Sequence, residues 1–301
     1  MLLPQTAQLR EARPERLLER IELTEVPFFP QQDYQCGPAA LATSLVHFGA
    51  KVTPEDLVTQ VYLPARKGSL QIEMLAAARR YGMVSYRLAP RFEDLLREVA
   101  AGNPVIVLLN YGVWPFPIWH YAVVAGYDYS EGQVVLRSGE KERLTMPFGI
   151  LEYLWKKSNY WAMVAVPSDR IPATATESDF LAAIVAMERL GDARAVVAAY
   201  ATFLRRWPAN LAAAIGLANG HYAAGELEKA AVVLRRAADL HPDSVAVLNN
   251  LAQTLSDLGR DDEALGLIDR AVALDGSFGA SARETRELIL QRLKPASAPG
   301  K

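Results

Sequence analysis

The sequence predicts an α+β domain followed by an all-α array of repeats, and three observations carry that expectation. Residues 25–167 mix helical and strand patterns, with helices early and strands clustered late, the order expected of an α+β unit. Residues 175–295 are almost purely helical and rich in alanine, leucine and arginine. Within them Gly191, Gly225 and Gly259 recur every 34 residues, and Pro208, Pro242 and Gly276 keep the same spacing 17 residues further on.

In the first part, residues 37–49 have helical apolar spacing and end at Gly49. Residues 53–62 begin with Thr53 as N-cap and Pro54 at the first helical position. Residues 69–82 form a third helix closed by Gly82, residues 84–89 a strand, and residues 92–102 a fourth helix. The apolar run 103–112 reads as a buried strand, and 119–128 and 134–139 as strands joined by the turn DYSEGQ. Residues 160–166 are the last strand. The stretch 168–178, with prolines and small polar residues, reads as a linker between residues 25–167 and residues 179–294. Residues 1–24 are an N-terminal extension and 295–301 a disordered tail.

Each 34-residue unit reads as helix, tight turn at glycine, helix, then a stop. Ala230 and Ala264 stand five residues after their glycines, where close helix packing needs a small side chain; Val196 holds that place in the first unit. This period is the tetratricopeptide signature. Three such repeats with residues 282–293 as a capping helix form a superhelix whose concave face is the expected seat of a protein partner.

Composition narrows function. A net charge of -2 gives no electrostatic footprint for nucleic acid. No apolar run reaches the length of a membrane span. The charged N-terminus is not a signal peptide as written; the expected location is the periplasm or cell envelope if a signal has been removed, and the cytoplasm otherwise. With one cysteine, an intramolecular disulfide and a cysteine metal cluster are ruled out, and neither metal nor cofactor is expected.

That cysteine, Cys36, stands immediately before a helix, where Gly37 and Pro38 suit a sharp entry. Free N–H groups and the helix dipole there favour a thiolate, and the same amides can stabilise an oxyanion. A nucleophilic thiol needs a base brought close by the fold. His221 and His241 lie in the repeats, and His47 is eleven residues along the same helix, roughly 16 Å away. His120, opening the strand WHYAVVAGYD, remains.

The stretches YQCGPAALA around Cys36 and HYAVVAGY around His120, with Gln31 upstream, resemble the C39 peptidase family, which removes double-glycine leaders from bacteriocin and peptide-pheromone precursors. The resemblance covers roughly residues 25–167. It implies a papain-like fold and a cysteine peptidase in which Cys36 attacks, His120 relays the proton and Gln31 completes the oxyanion hole, with Gln32 as fallback and Gln35 nearer still.

One position departs from the family. Its third residue is an aspartate some sixteen to eighteen residues after the histidine, and here Ser138 stands eighteen residues after His120. A serine can orient an imidazole without supplying the charge that stabilises imidazolium. Asp128 ends the strand that His120 begins, about 26 Å away, and Asn110 and Glu140 are weaker substitutes. The expected function is therefore a C39-like cysteine peptidase, or a degenerate form of one, that cleaves or binds a peptide. The alternatives are an inactive peptide-binding scaffold and a thiol acyltransferase.

Overall fold

The computed structural model describes residues 3–30 and 35–294. Internal contacts divide the chain between Ala195 and Val196 into two units.

The first unit runs α1 (Pro4–Glu11), β1 (Arg20–Glu22), α2 (Cys36–His47), α3 (Pro54–Val61), β2 (Tyr62–Leu63), β3 (Gly68–Ser69), α4 (Gln71–Arg80) and β4 (Met83–Arg87). It continues through α5 (Phe92–Ala100), β5 (Val105–Asn110), β6 (Trp119–Asp128), β7 (Gln133–Ser138), β8 (Lys141–Pro147), α6 (Phe148–Trp155), β9 (Ala162–Pro167) and α7 (Glu177–Val185). It is an α+β fold around an antiparallel sheet of order β4-β9-β5-β6-β7-β8. β1 pairs with residues 126–128 of β6, beyond the stretch that pairs with β5.

β5, with every residue buried, sits mid-sheet because helices cover both of its faces. On one face α2, α3 and α4 bring Leu41, Leu45, Leu57 and Met74 against Ile106, Leu108, Tyr121, Val123 and Met163. On the other face α5 and α6 pack Phe92 edge-on against Phe148 and Trp155, with centroids 5.0 and 6.0 Å apart. Leu41 and Leu45 are fully buried, so truncating either to alanine costs about 2–5 kcal/mol. β8 and α6 have no counterpart in the sequence reading. β8 is exposed along most of its length, so neither an alternating nor a continuous apolar pattern marks it.

Residues 3–24 of the N-terminal extension carry structure of their own. Buried Glu152 accepts from the Thr6 backbone N–H and hydroxyl, both at 2.6 Å, which fixes α1 on α6. Residues 172–176 are held just as closely. The buried Glu98 carboxylate accepts from Thr174 N–H at 2.7 Å, Thr174 Oγ1 at 2.6 Å and Ala173 N–H at 3.2 Å. α7 then lays buried Phe180 against Tyr86 of β4, ring centroids 6.4 Å apart.

α8 (Ala193–Arg206) crosses the division, and the second unit continues with α9 (Leu211–Ala223), α10 (Leu227–Leu240), α11 (Val245–Asp257), α12 (Asp261–Leu274) and α13 (Gly279–Leu293). α9 packs on α10, α11 on α12, and α13 covers α12 and α11, the run of helices that tetratricopeptide repeats form. Gly225 and Gly259 close their helices at φ +74° and +76°, a left-handed conformation that glycine adopts without strain. Ala230 and Ala264 are fully buried in the helix packing. The tail 295–301 lies outside the described residues.

Candidate active site

Cys36 is the first residue of α2, and Gly37 is required behind it. A Cβ on Gly37 would come 2.2 Å from Ser69 Oγ and 2.6 Å from Ser69 Cβ. The helix start can therefore lie against β3 only with glycine at that position. Upstream, Arg137 of β7 holds the chain at Glu22 and Val26: its Nε donates to Val26 O at 3.4 Å and its guanidinium pairs with Glu22 at 3.8 Å.

β6 carries His120 one residue before Tyr121, which joins the core under α2. Cys36 and His120 line one cleft of about 1040 Å³. Its walls include Arg66, Lys67, Ser69 and Leu70 on one segment, Pro117, Ile118 and Trp119 on another, and Lys157 and Asn159 on a third. The Cys36 side chain interacts with the backbone N–H of Tyr121. Among the described residues no hydrogen bond joins Cys36 to His120.

Ser138 ends β7, the strand beside β6, and its Oγ lies 2.8 Å from His120 Nε2. The β6–β7 register shifts between Val124 and Gly126, and the β7–β8 register between Leu136 and Ser138. Such irregularities re-aim side chains near a sheet's edge. Tyr111, just past β5, stands edge-on to the imidazole with centroids 5.6 Å apart. Three neighbouring strands thus bring Tyr111, His120 and Ser138 together. Tyr111 was not singled out in the sequence; the pairing of Asn110 with Trp119 is the signal that would have found it.

The other candidates fall elsewhere. Asp128 sits at the far end of β6, bonded to Ser130 and paired with Arg20. Asn110 Oδ1 accepts from the N–H groups of Gly112 and Ile118 at 2.8 and 2.9 Å, so it shapes the 112–118 loop. Glu140 is an exposed residue of the turn after β7. Gln31 and Gln32 lie outside the described residues, and Gln35 is the N-cap of α2 with no capping bond from its side chain. His47 Nε2 meets Gly102 O at 3.2 Å, and His221 pairs with Glu226 at 2.7 Å.

Burial works against charge on both side chains. Burial raises the Cys36 thiol above its ordinary range, and the amides of Tyr121, Gly37 and Cys36 itself offset that only in part. Burial lowers His120 to about 4. The sequence favoured a thiolate at the helix start. The helix amides do act in that direction, but the loss of water outweighs them.

Comparison with known proteins agrees with this fold. Residues 23–158 match the model of the Peptidase_C39 like family, and residues 221–278 match that of the tetratricopeptide repeat. The chain thus carries a C39-peptidase-like region followed by tetratricopeptide repeats. Among solved structures, a protein described as a C39-like peptidase from Bacillus anthracis is 18% identical over 50% of this chain and 98% of its own, with a TM-score of 0.40. The TPR2B domain of yeast Sti1 in its pHsp70 complex is 16% identical over 38% of this chain and 97% of its own, at 0.36. The Sgt2 TPR domain of Aspergillus fumigatus is 19% identical over 42% and 85%, at 0.34. No curated protein matches the chain.

Proposed function

We propose that the first unit is a cysteine peptidase that works through a neutral Cys36–His120 pair. The observation that carries this reading is the shared cleft, with His120 Nε2 engaged by Ser138. When Nε2–H donates to Ser138 Oγ, Nδ1 keeps its lone pair and is the base. It takes the Cys36 proton as sulfur attacks a peptide carbonyl, then returns it to the leaving amine. The acyl-enzyme is cleared by water. The amides at the start of α2 receive the oxyanion, with Gln31 as the side-chain donor the family resemblance implies. The tetratricopeptide repeats recruit a protein partner, and the substrate is a peptide or protein segment that enters the cleft extended.

The test is cleavage of a peptide library followed by mass spectrometry, with Cys36→Ala as control. Cut products that vanish in Cys36→Ala support the reading. Intact peptides with both proteins reject it. Amide products formed from added amines, in place of acids, would identify an acyltransferase.

The neutral pair and the serine at position 138 favour a second reading, a peptide-binding module without turnover. It predicts peptide binding that Cys36→Ala leaves intact, with no cleavage by either form.

A further inference from the structure

Beside the cleft, the segment between β5 and β6 forms a protruding apolar tip. Val113 is 68% exposed, Trp114 95% and Phe116 75%. Exposed single apolar residues are ordinary, but three large ones within four residues are not. None of the three lines the cleft, which takes in only the base of the loop from Pro117 onward. The tip therefore lies outside the cleft.

The base of the loop is fixed by hydrogen bonds. Val113 and Phe116 bridge, with Phe116 N–H donating to Val113 O at 2.6 Å. Tyr111 N–H donates to Ile118 O at 2.9 Å, and Asn110 Oδ1 takes the N–H groups of Gly112 and Ile118. Lys157 Nζ donates to Asn110 O at 3.2 Å and Gly112 O at 2.9 Å. These bonds pair the polar backbone groups at the base of the loop and hold the tip in one shape. Gly112 permits the tight base, since a Cβ there would fall 2.1 Å from Phe116 O.

Charge points the same way. Lys157 lies 4.3 Å and Lys156 5.6 Å from the ring centroid of Tyr153, itself half exposed. Two cations and an aromatic ring thus stand at the base of the tip. None of these contacts of the loop involves a carboxylate among the described residues. Protruding Trp and Phe on a hydrogen-bonded base, with lysines flanking it, fit an anionic lipid surface.

We propose that residues 113–116 dock the first unit on an anionic membrane surface, with Trp114 and Phe116 entering the interface and Lys156 and Lys157 facing the headgroups. The contact is peripheral: among the described residues no helix is long and apolar enough to cross a membrane.

The experiment is flotation of the full chain with unilamellar vesicles of phosphatidylcholine alone or mixed equally with phosphatidylglycerol. The chain floats with the mixed vesicles and much less with the neutral ones. The double variant Trp114→Ser, Phe116→Ser loses at least about tenfold in partitioning, because two large apolar side chains no longer leave water. Lys156→Gln, which spares the Lys157 bonds to the loop, lowers the preference for anionic vesicles and flattens the salt dependence. Equal rates of Cys36 alkylation in all forms certify that the fold is intact. A wild-type chain that stays with the soluble fraction, or a double variant that floats equally well, overturns the proposal. So does a double variant that loses peptide binding in place of vesicle binding, which would make the tip a peptide-docking element.

Discussion

His120 Nε2 lies 2.8 Å from Ser138 Oγ, and the two residues come from the adjoining strands β6 and β7. The pair supplies the imidazole with orientation and no charge. Replacing Ser138 with aspartate supplies the charge. A carboxylate at that distance favours imidazolium, so the pKa of His120 should rise from about 4 toward its ordinary value. Ser138→Ala should leave the ring unanchored, with a loss of about tenfold to a hundredfold in kcat/KM where turnover is measurable. Nuclear magnetic resonance titration of the His120 ring reads the first effect directly. An unmoved midpoint in Ser138→Asp would show that the carboxylate does not reach the ring.

The buried His120 also makes stability depend on pH. Its folded pKa of about 4 is depressed below the unfolded value of about 6.5. Between those two values the unfolded chain binds a proton that the folded chain refuses. Stability should therefore fall as pH drops from about 6.5 to about 4, and this contribution should change no further below that. Urea melts across this window, compared with His120→Gln, isolate it; the variant should show the shallower dependence.

Cys36 should alkylate slowly at neutral pH. Its thiol is raised by burial, so iodoacetamide reactivity should climb only above the ordinary cysteine value of about 8.5. In the unfolded chain the thiol ionises first, so the folded state loses stability as pH rises past that point. Fast alkylation below pH 7 would mean that the thiolate is preformed after all, and that the helix-start amides outweigh burial.

Gly37→Ala should disable the site without touching a reacting atom. The added methyl would press on Ser69 Oγ and Cβ, so α2 must move off β3 or β3 must move off the cleft wall. Overpacking of this kind costs about 1–3 kcal/mol. The expected pattern is a modest fall in melting temperature together with a large loss of peptide binding. A variant that loses neither would mean that the backbone at Ser69 shifts away at little cost.

The local patterns around the candidate site were the most legible in the sequence. A cysteine before a helix, glycine behind it and a histidine opening an apolar strand are local patterns, and so is the glycine period that Gly225 and Gly259 obey. What escaped depends on tertiary surroundings. That burial works against charge on both Cys36 and His120 follows from how much water the fold removes, which no spacing reveals. Tyr111 reaches His120 only through strand pairing. β8 escaped because its outward residues carry no pattern, and the α1 attachment because one buried carboxylate, Glu152, sets it. Asp128 illustrates the opposite case: strand length alone placed it at the far end of β6, where it pairs with Arg20.

Glu98 offers a final test. Its carboxylate is fully buried and accepts from Asn103 Nδ2 at 2.6 Å as well as from Ala173 and Thr174. Four donors converge on two oxygens, an arrangement that only an acceptor on both sides can satisfy. In Glu98→Gln one oxygen becomes an amide nitrogen, which must face donors with a donor of its own. The loss should be about 1–3 kcal/mol of stability. It should also be local, because Ala173 and Thr174 belong to a stretch whose composition reads as linker, and Glu98 supplies much of what pins it to α5. Limited proteolysis should therefore cut between residues 168 and 178 faster in the variant, before global unfolding begins. Hydrogen exchange at Ala173 and Thr174 gives the matching measurement, since both amides donate to the carboxylate. If their exchange is unchanged while melting falls, Glu98 acts through Asn103 alone and the stretch is held by Phe180 on Tyr86.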